Sequence, residues 1–256
     1  FDGQHLNAVA PCYNPAHHHA RAEESCEGLA KFWQAIHRAA REVNPNAVIE
    51  LCPCGTAFDF HNLPATDQYP AADPTSSWQV RSKGKTMKAL MGNRSSYAGD
   101  HVELSDRGND FASTVGLGGV ISTKFTWPKD TDTPAEPLPP GGLVLTPAKE
   151  KLWRQWLALY QRHMLPKGEY LGTLYDIGFD RPEAHAIAKD GALYYTFYAD
   201  QWSGKLELRG LGQGRYRLRD LFNDKDLGLV DARHNTVSVR FQHFLFLAAT
   251  PAGKPA

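Results

Sequence analysis

Two periodicities divide the chain. Over residues 23–43, Leu29, Phe32, Trp33, Ile36 and Ala40 recur at helical spacing, and Asn44-Pro45-Asn46 closes the run, which predicts an amphipathic helix. "AVIELCPCG" (47–55) is a short, nearly continuous apolar run ended by glycine, the pattern of a strand covered on both faces. A polar loop leads to "DPTSSWQVR" and a short helix through Met87 to Met91. "YAGDHVEL" then predicts a strand, "NDFASTVGLG" the start of a helix, and "GVISTKFTW" a further strand. Strand and helix in alternation imply a parallel sheet with helices packed outside it.

Residues 128–146 are proline-rich and mark a loop or a boundary. The stretch 148–165 carries Leu152, Trp153, Trp156, Leu157 and Tyr160, an amphipathic helix whose two tryptophans belong in a core. After it the period shortens to two. "ALYYTFYAD", "GKLELRGL", "GRYRLRDLF" and "NTVSVRFQHFLFLAA" alternate polar and apolar residues between turns such as Trp202-Ser203-Gly204 and Asn223-Asp224. That is antiparallel β, expected as a small sandwich or sheet. The chain thus divides into an α/β part, 1–165, and an all-β part, 166–256.

Composition removes several functions. Lys+Arg and Asp+Glu are equal at 28 each, so no net field draws nucleic acid or an anionic membrane. No apolar run approaches the ~20 residues of a membrane span. Aromatic content is high, with six Trp and ten Tyr, which suits stacking on flat apolar faces. The opening "FDGQHLNAVAPCYNP" sets Asp2 between Phe1 and Gly3 and reads as the end of a buried strand, unlike a solvated tail. A chain that opens inside a strand shows no secretory leader, so the compartment stays open. A homo-oligomer is compatible with all of this.

The cysteines are Cys12, Cys26, Cys52 and Cys54. Cys52 and Cys54 are too close for an unstrained disulfide, and C-x-C lacks the paired C-x-x-C of structural zinc. Three adjacent histidines, His17 to His19, cannot all face one ion from a regular element, so a solvated loop is expected there. No metal and no cofactor is expected.

In parallel α/β architectures, chemistry sits at the carboxyl ends of strands. The polar groups at predicted strand ends are Asp2, Cys52-Pro53-Cys54-Gly55, Asp73, Asp100-His101 and Lys124. Carboxylates converging on one rim, with no phosphate-binding glycine loop and no nucleophile-elbow serine, point to acid/base work on a neutral polar substrate. Glycoside hydrolysis needs two such groups, one ionised and one protonated.

The opening, "CPCG", "DPTSSWQVRSKGKTMKALMG" and "GDHVELSDRGNDFASTVGLGGVISTKFTWP" together resemble the α-galactosidase (melibiase) clan, specifically glycoside hydrolase family 36. The resemblance implies a (β/α)8 catalytic barrel followed by a β-sandwich, with this chain entering at about strand four or five. It implies a retaining hydrolase of terminal α-galactosides acting on oligosaccharides through a covalent glycosyl-aspartate. On the family's Lys-x-Asp motif, Asp2 is the nucleophile, Phe1 is the x, and the lysine would precede residue 1. Its Cys-x-x-Gly sugar-pocket motif is similar to Cys52-Pro53-Cys54-Gly55, implicating Cys52, Cys54 and Gly55. Its Ser-Asp-x-x-Asp-x-x-x-Arg segment is similar to "ADPTSSWQVR", giving Asp73 as acid/base. There Ala72 replaces the serine, Ser76 the second aspartate, and Arg81 comes one residue late. Asp100 is the competing acid/base.

Trp78, Arg81, Asp100 and His101 complete the expected substrate contacts, with Trp127 a further candidate for stacking on a pyranose face. Plainer roles stand beside these. Cys52 could be a small buried hydrophobe, Arg81 an ion-pair partner and Asp73 a turn former before Pro74. His5 and His101 read more simply as structural hydrogen-bonding groups. Two other functions compete: an incomplete barrel with a carbohydrate-binding or structural role, and a metal-dependent hydrolase built on Cys12, His17–His19 and Cys54. An α-N-acetylgalactosaminidase is the nearest enzymatic alternative.

Overall fold

The computed structural model describes residues 1, 11–52, 60–74, 76–99, 111–122 and 146–253. Helix α1 spans Glu24–Val43 and ends on Asn44, where the sequence places its stop. Its Trp33 is buried against Ile49, Leu51 and Ala65, with Leu29, Ile36 and Ala40 alongside. Phe32, expected on the same apolar face, is instead exposed on the flank. Two short strands follow, β1 (Gln68–Pro70) and β2 (Ser96–Ala98), joined by α2 (Ser77–Met91) and paired in parallel.

The parallel ladder extends beyond this pair. Glu50 bridges Gln68, and Ala98 bridges Val120, both in parallel. The Phe1 ammonium donates to the Glu50 carbonyl at 2.7 Å, and the Cys52 N–H donates to the Phe1 carbonyl at 2.8 Å. That is the bond pattern of a parallel pair with Leu51 opposite Phe1. Five strand positions therefore lie side by side in chain order: Phe1, Leu51, β1, β2 and Val120. Tyr69, Ala71 and Tyr97 meet Val80, Met87 and Met91 of α2 in one buried cluster. Helix α3 (Ala112–Gly116) precedes Val120, and α4 (Pro147–His163) follows, with Thr146 capping the Lys149 N–H at 3.2 Å.

The remainder is an antiparallel sheet of six strands in the order β3-β4-β5-β8-β6-β7. These are β3 (Glu169–Tyr170), β4 (Glu183–Lys189), β5 (Ala192–Glu207), β6 (Arg215–Asp220), β7 (Lys225–Asp231) and β8 (Thr236–Pro251). Alternation sorts β5 between two environments, as a period of two requires. Leu193, Tyr195 and Phe197 enter one apolar cluster, while Tyr198 joins Trp153, Trp156 and Phe246 in another on the α3–α4 side.

The expected sandwich is modified. Among the described residues there is one antiparallel sheet, in which the long antiparallel β5–β8 pair has a bulge between Ala199 and Gln201. Leu206 and Phe241 beyond that bulge share the cluster of Tyr195, Leu218 and Val230. A bend at a bulge therefore does the work of a second sheet.

Trp156 is fully buried between α4 and the sheet, with its ring centroid 4.9 Å from that of Phe222 and 5.1 Å from that of Phe244. Trp156→Ala is expected to lower stability by about 3–5 kcal/mol, read from urea unfolding midpoints.

Candidate functional site

Asp73 lies where the sequence order puts it, three residues past the end of β1 and exposed. The backbone leading to it is unusual. Ala72 and Asp73 both have positive φ, 56° and 48°, in the left-handed region that L-residues avoid at a cost of about 1–2 kcal/mol each. Asp tolerates that region better than Ala does. What holds the pair is Lys83, on α2, whose ammonium donates to the Ala71 carbonyl at 2.8 Å and the Ala72 carbonyl at 3.0 Å. Strain fixed by surrounding structure beside an exposed carboxylate is a feature of functional sites.

Ser76, which departs from the family motif, accepts the Gln79 N–H at 3.3 Å as the N-cap of α2. Serine and aspartate are comparable N-caps, so the departure leaves the local fold intact. Trp78 follows in the first turn of α2, 56% exposed and open to a partner. Cys52 is half-buried at the end of its ladder position, tied to Phe1 by its N–H. Asp2, Cys54, Gly55, Asp100, His101 and Trp127 lie outside the described residues. Gly99, the residue after β2, sits at a close approach, since a Cβ there would lie 2.0 Å from Thr114 Oγ1.

Arg81 has a role different from the expected sugar contact. Its Nε and one terminal nitrogen hold the two oxygens of Glu183 on β4 at 2.7 and 3.0 Å, and the other donates to Ser113 Oγ at 2.9 Å. Its guanidinium carbon lies 4.2 Å from the centre of the Tyr198 ring. Both charged side chains are nearly excluded from water, at 11% and 12% exposure. With its fork matched bidentately, Arg81 joins α2 to the antiparallel sheet. Glu183 also meets fully buried His185 at 2.9 Å, and His185 Nδ1 meets the Tyr170 hydroxyl at 2.7 Å. Tyr198 reaches the Ala112 carbonyl at 2.8 Å, across Gly116, where a Cβ would strike its hydroxyl.

Burial pushes the Glu183 carboxyl up, but hydrogen bonds from His185 and Arg81 and the Arg81 charge outweigh it and hold the group at about 2. Burial lowers His185 despite Glu183, so it is neutral, donating from Nε2 to Glu183 and accepting at Nδ1 from Tyr170.

The amino ends of the same strands carry a second polar knot. Asp67, just before β1, accepts from the Ile49 N–H at 2.8 Å and from Arg41 at 2.7 Å, and meets His37 at 3.2 Å. Burial raises its carboxyl, and those bonds more than reverse the effect. A cavity of about 490 Å³ there is lined by Asp67, Lys88, Arg94 and Ser95 among others. It lies at the ends opposite Asp73, where parallel architectures place stability and not chemistry. Among the described residues, one group of side chains has the spacing of metal ligands, Cys12, His17 and His19.

No family model matches the chain. Over 263 aligned residues, covering all of it, the chain is 34% identical to a Flavonifractor plautii protein named A type blood alpha-D-galactosamine galactosaminidase. It spans 22% of that protein's length. Among solved structures it is similar to a GH27 β-L-arabinopyranosidase from Geobacillus stearothermophilus, with a TM-score of 0.58 at 12% identity, covering 89% of this chain and 55% of that one. A noncanonic maltogenic α-amylase from Thermotoga neapolitana gives 0.55 at 12% identity, over 87% and 59%. The fold, an α/β body followed by antiparallel β, is thus one that glycoside hydrolases use.

Sequence reasoning names Arg81 as a sugar contact and misses both its pairing with Glu183 and the contacts of Lys83. Val80, Gly84, Met87 and Met91 mark the buried face of α2, and Lys83 flanks it, a signal that could have been read. Glu183 lies 102 residues from Arg81, with no local trace.

Two outcomes are expected. Lys83→Met should lower stability by about 1–3 kcal/mol, measured by chemical denaturation, because two carbonyls lose a charged donor. Acid should also destabilise the fold. His185 and Glu183 both bind protons less readily folded than unfolded, so stability falls as pH drops. The His185 part begins to go below its ordinary 6.5, and the Glu183 part goes between 4.5 and about 2. Denaturation midpoints across that range should show a shallower acid slope below 4.5 in Glu183→Gln. An unchanged slope would exclude the carboxylate as its source.

Proposed function

We propose that this chain supplies the later half of a (β/α)8 catalytic barrel, with a β domain beginning near residue 166. In this reading it belongs to a retaining glycosidase that releases terminal α-linked galactose or its 2-amino analogue from oligosaccharides. The observation that carries the proposal is the parallel ladder from Phe1 to Val120, in which each candidate group follows a strand position at its carboxyl end. Identity to a galactosaminidase along the whole chain supports the choice of sugar. Placement in family 36 in particular rests on the sequence motifs alone.

Asp2 follows Phe1 in sequence and is assigned as nucleophile; it must stay ionised to attack the anomeric carbon. Asp73 is the acid/base, with Asp100 as its competitor. It protonates the leaving oxygen and then takes a proton from water. Retention requires the two carboxyls about 5–5.5 Å apart. Lys83 acts as a positioning residue, fixing the strained turn from which Asp73 projects. Trp78 is available to stack on a sugar ring, and Cys52, Cys54, Gly55 and His101 complete the pocket. Arg81 is left out, because its guanidinium is committed to Glu183.

The test uses the protein that contains this chain, treated with a 2-fluoro-galactosyl fluoride and then peptide-mapped. Label on Asp2, and loss of turnover in Asp2→Asn, are the expected results. Asp73→Asn should retain the first step with an activated aryl leaving group while slowing it with a sugar leaving group, a split that Asp100→Asn would show instead if the roles are exchanged. Label on another residue, or none because the barrel is catalytically silent, overturns the reading. Parallel assays on α-galactoside, α-galactosaminide and α-N-acetylgalactosaminide decide the sugar.

A further inference from the structure

The connection from Phe1 to α1 carries Cys12 and the run His17-His18-His19. Protein contacts set its path. The Cys12 N–H donates to the Ala22 carbonyl at 2.8 Å, and the His17 N–H to the Asn14 carbonyl at 3.0 Å. The Asn14 side chain accepts the Ala16 N–H at 3.0 Å, and Glu24 Oε2 accepts the Ala20 N–H at 3.1 Å. This Asx turn brings position 17 back to position 12. The path through His18 then brings the His17 and His19 rings edge to face.

The result is a converging set of donors. Cys12 Sγ lies 3.0 Å from His17 Nδ1, and Cys12, His17 and His19 each offer a ligand atom within 4.8 Å of the others. The His17 and His19 ring centroids are 5.6 Å apart. His18 is outside the set. The sequence argument against three adjacent histidines on one ion therefore holds for the triplet, yet alternate members reach a shared centre with a cysteine.

We propose that Cys12, His17 and His19 bind one Zn²⁺, with water in the fourth position. A thiolate with two imidazoles favours zinc over magnesium or calcium, which take oxygen ligands. Tetrahedral zinc, with bonds of about 2.3 Å to sulfur and about 2.0–2.1 Å to nitrogen, spaces its ligand atoms about 3.3–3.6 Å apart. Cys12 and His17 need separate by only a few tenths of an ångström, and rotation of exposed His19 supplies the third ligand. One outer partner is near: Glu24 Oε2 lies 3.9 Å from His19 Nδ1, placed to receive that ring's outer N–H. The Asn14 amide nitrogen, a donor 3.4 Å from the far nitrogen of His17, turns away when zinc takes Nδ1. On binding, the Cys12 thiol loses its proton to solvent and the sulfur bonds the metal. The ion ties this strand-to-helix connection to the start of α1 through the Cys12–Ala22 bond.

Cobalt substitution of the full chain tests this. One equivalent of Co²⁺ should give a thiolate charge-transfer band in the near-ultraviolet, bleached by Zn²⁺. Cys12→Ser should lose the band, and His17→Ala and His19→Ala should each weaken Zn²⁺ binding at least about tenfold in competition with a chromophoric chelator. His18→Ala should bind as the unmodified chain does. Zn²⁺ should also slow alkylation of Cys12 while leaving the rates at Cys26 and Cys52 unchanged. Absence of the charge-transfer band, or equal weakening in His18→Ala, overturns the proposal and leaves an unspecific histidine patch.

Discussion

The ion pair between Arg81 and Glu183 is the contact on which the arrangement of the two halves turns. Removing two charges from water costs several kcal/mol per ion, and attraction offsets that only where geometry is good and remaining donors and acceptors are met. Here both carboxylate oxygens are held, Ser113 and His185 take further bonds, and the guanidinium lies over Tyr198. A small slide of α2 along β4 would strand a buried charge. Apolar packing tolerates such slides far better, because dispersion contacts are numerous and nondirectional. The pair therefore contributes register more than cohesion.

That register is passed towards the candidate chemistry. Arg81 fixes α2 against the sheet, and two residues later on the same helix Lys83 reaches the Ala71 and Ala72 carbonyls. Those carbonyls belong to the left-handed turn that presents Asp73. A relay from β4 through one helix to one strained turn gives the antiparallel sheet a part in placing the acidic side chain of Asp73. The antiparallel sheet then has a physical role in positioning the parallel part of the chain.

The two ends of the parallel strands differ in the same spirit. At the amino ends, Asp67 is saturated by a backbone N–H, an arginine and a histidine, which makes a stable knot and a poor reagent. At the carboxyl end of β1, Asp73 is exposed on a turn held under strain. The two aspartates lie six residues apart and differ in exposure, the Asp67 side chain at 18% and Asp73 at the surface.

How much was legible follows from the range of the forces involved. Helices α1 and α4, the β8 strand, and the burial of Trp153 and Trp156 follow from hydrophobic spacing, because each element must turn one face from water. Trp202-Ser203-Gly204, expected as a turn, instead runs on inside the single strand β5 paired to β8. The short strand β1 just before Asp73 falls in what the sequence reads as a polar loop, because three residues are too few to show a period. Phe32 escaped because a helix stripe marks which side is apolar but not how wide the neighbour that covers it is. The partner of Arg81, the grip of Lys83 and the convergence of Cys12 with His17 and His19 were decided only by the folded structure. Directional contacts depend on positions to within an ångström, and those are set by backbone brought together from distant parts of the chain, or by turns whose path no periodicity encodes.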